Sequence, residues 1–151
     1  MKVVFLDIDG VLNSVAYDRE RTQADGNIDQ SRLPLLKRLV EETGARVVLS
    51  SSWRKHWDRD SSLRDGIGSE LDRTFLDAGV PLFDKTPEAG SRAEEISLWL
   101  EAHPQAARCV ILDDAFGGWG ALGPHVVKTD SRIGRGLEER HVAEAIKKLS
   151  V

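Results

Sequence analysis

The chain has 151 residues, enough for one domain with a buried core, and its 40% hydrophobic and 30% charged residues match ordinary soluble globular usage. That balance excludes a disordered, fibrous or coiled-coil protein, and no apolar run approaches the roughly 20 residues that span a bilayer. The formal net charge of −4 supplies no overall attraction to nucleic acid or anionic lipid, although Arg54, Lys55, His56, Arg59 and Arg64 form one local basic cluster and Lys128, Arg132 and Arg135 another.

Val3 to Leu6 is a short continuous apolar run, as in a strand buried on both faces. Asp7 and Asp9 interrupt it too early for a secretory leader, so a cytoplasmic protein without a membrane partner is expected. Leu33, Leu35, Leu36, Leu39 and Val40 then recur at helical spacing, predicting a helix from about Asp29 to Thr43 with Gly44 as its stop. Arg46 to Ser50 predicts a second buried strand that closes in hydroxyls. Leu71, Phe75 and Leu76 predict a helix near Ser69 to Ala78, and Val80 to Phe83 a short strand. Ser91 and Glu94 match a capping box that opens a helix to about Ala102. Cys109 to Leu112 is a strand running into Asp113 and Asp114, its thiol expected to be buried and inert. His125 to Lys128 is a short strand, and Glu138 to Leu149 a closing amphipathic helix. Strands alternating with helices imply parallel strands and a three-layer, Rossmann-like α/β fold, expected as a single domain over residues 1–151.

Three of these strands end in polar groups: Asp7 and Asp9, then Ser50-Ser51-Ser52, then Asp113-Asp114. In an open parallel sheet all strand carboxyl ends open onto one edge, where ligands bind. Taken singly, such residues are often turn formers or helix caps; three sets in this order are expected to converge. Converging carboxylates repel one another, and a hard divalent cation removes that penalty. Magnesium suits oxygen donors, while no Cys/His cluster offers a zinc site.

Asp7-Ile8-Asp9-Gly10-Val11-Leu12-Asn13, Val47-Val48-Leu49-Ser50 and Val110-Ile111-Leu112-Asp113-Asp114 resemble the first, second and fourth motifs of the haloacid dehalogenase (HAD) superfamily of phosphohydrolases. The resemblance implies Asp7 as nucleophile, Asp9 as general acid and then base, and magnesium held by Asp7, Asp114 and the Asp9 carbonyl, with Asp113 in support. Ser50 and Ser51 would bind the phosphoryl group. For the lone basic third motif Lys85 is the candidate and Arg92 the reserve, and Arg54 would contact substrate. An acid at Asp9 implies a phosphatase, since a leaving alcohol must be protonated. Asn13 to Asn27 leaves room for a flap and no large cap. The Ser50-Ser51-Ser52-Trp53-Arg54 segment further resembles phosphatase domains attached to bacterial RNA-repair proteins. A phosphorylated small molecule or nucleic-acid end is the implied partner, and the sequence sets no oligomeric state. Trp53, Trp57 and Trp119 are open to base stacking or to packing, and Trp99 is expected in the core. Two other readings carry the same residues: a receiver-like domain holding a phospho-aspartate, and a non-catalytic interaction domain.

Overall fold

Val3, Val4, Phe5 and Leu6 are all fully buried because β1 (Lys2–Leu6) is the middle strand of a five-stranded sheet. The computed structural model describes residues 1–150. Its other strands are β2 (Arg46–Leu49), β3 (Leu82–Lys85), β4 (Arg108–Asp113) and β5 (Val126–Lys128). They lie in the order β3-β2-β1-β4-β5 and every pairing is parallel. Helices cover both faces of such a sheet, which is why its central strands read as unbroken apolar runs rather than alternations.

The strand period of two divides the core into two parts. Val4, Leu6, Val47, Leu49, Val110 and Leu112 face the side covered by α2 (Leu33–Thr43), α3 (Gly66–Asp77) and α5 (Glu139–Ser150). Val3, Phe5, Val48 and Ile111 face α4 (Arg92–Ala102), where Phe5 meets Trp99 edge to face at 5.4 Å between ring centroids.

Several element boundaries differ from those predicted, each for a local reason. The Val80 amide donates to the Phe75 carbonyl at 3.0 Å and closes the end of α3, so β3 begins only after Pro81. Asp29 caps a 3-10 turn at Gln30–Arg32, and α2 proper starts at Leu33 with Pro34 in its first turn. Asp65 accepts from the Gly68 amide and starts α3 three residues before the predicted Ser69. The segment read as a flap contains a short helix, α1 (Val15–Glu20), capped by Ser14. Gly44, at φ 71°, stops α2 as predicted, and Ser91 caps α4 through the Glu94 amide at 3.2 Å. Beyond α1, the loops at the carboxyl edge hold only short 3-10 turns before α2 and α3, too little chain for a cap domain among the described residues. No helix among these residues is long and apolar enough to cross a membrane.

Candidate active site

The carboxyl edge of the sheet carries one ordered row of polar side chains. Strand hydrogen bonding continues one residue past each apolar run: Asp7 N–H donates to Leu112, Ser50 N–H to Leu6 and Thr86 N–H to Leu49, at 2.9–3.1 Å. Asp7, Ser50, Thr86 and Asp113 therefore stand abreast. Parity along β1 puts Asp7 on the same face as Val3 and Phe5, the face that α4 covers.

The convergence expected of the early and late acids is present. One carboxylate oxygen from each of Asp7, Asp113 and Asp114 lies within 4.8 Å of the others. Burial, then the charge of Asp113, pushes the Asp7 carboxyl up to about 7, against the opposing pull of Arg92. Asp113 is raised too, chiefly by burial. An all-oxygen cluster in which burial disfavours the ionised forms of Asp7 and Asp113 fits a hard divalent cation, which would supply the missing positive charge. Gly10 supports this cluster sterically. Its φ is 87°, and a methyl group built on it would overlap the Asp114 carboxylate.

The basic group beside these acids is Arg92, at the first position of α4. Its Nη1 donates to Asp113 Oδ2 at 2.7 Å and lies 3.4 Å from Asp7 Oδ2. Although burial opposes its charge, Asp7 and Asp113 hold the guanidinium firmly protonated. Lys85 is placed elsewhere. It pairs in register with Leu49, which pairs with Leu6, so it stands one residue short of the Asp7 row, where parity favours the opposite face. Its ammonium donates to the Trp57 carbonyl at 2.6 Å and the Arg54 carbonyl at 3.2 Å, and lies 3.5 Å from Asp58.

Arg54 is likewise not free for substrate. It is buried, bonds Glu95 Oε2 at 2.5 Å through Nη2, and donates to the Ser51 carbonyl at 3.1 Å through Nη1. Glu95 also receives the Ala89 amide and approaches Arg92 Nε at 3.9 Å, so the pair braces the start of α4 from behind. Removing one partner of a buried ion pair strands the other charge. Arg54→Ala is expected to lose about 3 kcal/mol or more in urea denaturation; a variant as stable as the wild type would show the pair to be dispensable. The Ser51 hydroxyl accepts from the Trp53 amide and caps the 3-10 turn Ser52–His56, whereas the Ser50 hydroxyl is buried and has no partner among the described residues.

Asp9 is exposed, and both its oxygens are held. Asn13 Nδ2 donates to Oδ1 at 2.9 Å and Trp53 Nε1 to Oδ2 at 3.1 Å. Asn13 also bonds the Gly10 amide and the Asn27 carbonyl, tying the acidic loop to the flap. Neither holder of Asp9 could be read from composition, although Asn13 stands one helical turn's spacing after it in the quoted motif. Trp57, Trp99 and Trp119 are buried. The burial of Cys109 lifts its thiol to about 11, an inert state at neutral pH.

Asp7, Asp9, Asn13, Arg92, Asp114 and Ser131 line one open cavity of about 390 Å³. A Rossmann-like sheet with an acidic cluster and one arginine at its carboxyl rim defines the class of domain. Residues 3–142 match a family described as the HAD domain in Swiss Army Knife RNA repair proteins, and the chain belongs to that family. No curated protein and no solved structure matches it significantly.

Proposed function

We propose that the protein is a magnesium-dependent phosphatase that hydrolyses a phosphomonoester through an aspartyl-phosphate. The observation carrying this reading is the convergence of Asp7, Asp113 and Asp114 within 4.8 Å, with Arg92 3.4 Å from Asp7. Magnesium would be held by the carboxylates of Asp7 and Asp114 and the Asp9 carbonyl, and when bound it neutralises charge shared by carboxylate and phosphate. Asp113, committed to Arg92 and to the Ala115 amide at 2.9 Å, serves as support.

An Asp7 oxygen attacks phosphorus. The bond from phosphorus to the leaving alcohol breaks, its electron pair stays on the alcohol oxygen, and that oxygen takes a proton from Asp9. Water then attacks the phosphorus of the aspartyl-phosphate and gives its proton to Asp9. Inorganic phosphate leaves, and Asp7 regains its carboxylate. Arg92 and the unpartnered Ser50 hydroxyl stabilise the phosphoryl oxygens as charge develops on them. Asn13 and Trp53 keep the Asp9 carboxyl aimed across the cavity. Membership in a family of RNA-repair domains supports a nucleic-acid end as substrate, and phosphorylated small molecules fit the same chemistry.

Hydrolysis of an aryl phosphate with magnesium tests the reading, and a chelator should abolish it. Arg92→Gln should lower kcat/KM by about a hundredfold or more, the scale of losing one electrostatic contact to the transition state. Lys85→Gln should stay within a few-fold of the wild type. A large loss in the Lys85 variant with none in the Arg92 variant would return the basic role to Lys85. A stable phospho-aspartate without turnover would support a receiver-like switch instead.

A further inference from the structure

A second cavity, of about 420 Å³, lies beside the first between the flap and α3. Its size falls in the range of pockets that enclose small organic ligands, about 300–1,000 Å³. The two cavities meet at the acidic loop. Asp7 and Asp9 line the first cavity, while Ile8 between them lines the second. Trp53, which donates to Asp9 Oδ2, forms part of the wall of the second cavity. Asn27, whose carbonyl accepts from Asn13, forms another part. Asp9 therefore sits at the boundary.

We infer that this second cavity is the leaving-group pocket, and that it takes an uncharged, ring-bearing alcohol such as a nucleoside or an aryl alcohol. The inference rests on Asp9 protonating the leaving oxygen: a group attached to that oxygen must extend past Asp9, and Trp53, which holds Asp9 Oδ2, borders this cavity on that side. Its chemistry selects the occupant. Ile8, Ile28, Trp53, Ile67 and Leu71 give it one apolar wall with an indole beside it, and Asn27, Gln30 and Thr74 add uncharged polar groups suited to the heteroatoms of a nucleoside. The ionisable side chains in its lining, among the described residues, are the carboxylates of Asp25 and Glu70. With no lysine or arginine there, a leaving group bearing a second phosphate is repelled, so of the two substrate classes this pocket favours the phosphorylated small molecule over the nucleic-acid end. The wall is also held in place. The Tyr17 hydroxyl sits within 3.3 Å of the carbonyl oxygens of Asp25, Gly26 and Ile28, so α1 pins the flap that closes this side.

The test uses the full chain and four substrates: glycerol phosphate, 1-naphthyl phosphate, adenosine 5′-monophosphate and adenosine 3′,5′-bisphosphate. Naphthyl phosphate and the monophosphate should exceed glycerol phosphate in kcat/KM by about tenfold or more, the scale of one ring stacked on an aromatic side chain. Ile67→Glu places a carboxylate in the apolar wall; Ile67 is 47% exposed in the first turn of α3, where an acid favours the helix. This variant should erase the advantage, bringing naphthyl phosphate and the monophosphate down to the kcat/KM that the same variant shows for glycerol phosphate. The bisphosphate should be a poorer substrate than the monophosphate, and Glu70→Gln should recover part of that loss. A binding arm is independent of turnover: adenosine added to Asp7→Asn should shift the Trp53 indole N–H resonance, assigned with Trp53→Phe, while glycerol should not. Equal rates for all monoesters, or an advantage that survives Ile67→Glu, would overturn the pocket. If no ester is hydrolysed, the phosphatase reading fails, and the adenosine titration alone decides the pocket.

Discussion

Asp7→Asn is expected to abolish phosphatase turnover and, without metal at pH 8, to melt at a higher temperature than the wild type. The activity loss follows from removing the attacking oxygen, and should reach at least about a thousandfold. The stability gain follows from electrostatics. Asp7 is 7% exposed, so its environment acts on it with little screening. Its carboxyl moves from 3.8 to about 7 on folding, mainly through burial and then through Asp113. Between those values the folded state holds more protons than the unfolded state, so stability falls as pH rises through this window. Above pH 7 the full penalty applies, on the order of 4 kcal/mol. An asparagine matches the shape, can accept the same Ile8 amide, and carries no charge. At this chain length a relief of that size corresponds to a rise of about ten degrees. The gap should narrow toward pH 5, where Asp7 binds its own proton. Magnesium should reverse the order, because it stabilises the wild type by mass action and finds one ligand fewer in the variant. Differential scanning calorimetry at pH 5 and 8, with chelator and with magnesium, reads all four conditions. A variant less stable than the wild type in chelator at pH 8 would refute electrostatic frustration at the cluster.

The positions that generate this frustration were legible because they end buried strands. Val3 to Leu6 and Cys109 to Leu112 announce themselves as apolar runs, and a parallel sheet then brings their acidic ends to one edge. The basic group was less accessible. Lys85 and Arg92 are both cations near a strand end, and a single residue of register separates a side chain in line with Asp7 from one on the other face. The bulge in the pairing of β2 with β3, at Val47 and Val48, moves that register in a way no local pattern encodes. Arg54 misled for a related reason. A cation after three serines invites a ligand, but its partner Glu95 is 41 positions away on α4. The Trp53 contact to Asp9 spans 44 positions and was equally hidden. Strand composition carries the acids, whereas tertiary packing selects which cations and hydrogen-bond donors reach them.

Gly10→Ala is expected to weaken magnesium binding by roughly ten- to a hundredfold, the range found when residues supporting a metal's ligands are altered. Two effects combine at this position. A φ of 87° is strained for any residue with a Cβ, and the added methyl would overlap the Asp114 carboxylate. Asp114 must then swing away from Asp7 and Asp113, and its bond from Ser131 Oγ, 3.3 Å long, is lost with it. The backbone has little freedom to yield instead. The Gly10 carbonyl accepts from Thr129 Oγ1 at 2.7 Å, and its amide donates to Asn13. Gly44→Ala separates the two effects, since Gly44 has a similar φ of 71° with open space around its missing side chain. It should lose stability through backbone strain while keeping the magnesium response of the wild type. Magnesium titrations of turnover and of melting temperature should therefore shift in Gly10→Ala and not in Gly44→Ala. Unchanged magnesium dependence in Gly10→Ala would mean that Asp114 does not hold the cation, leaving Asp7 and Asp113 as its carboxylate ligands.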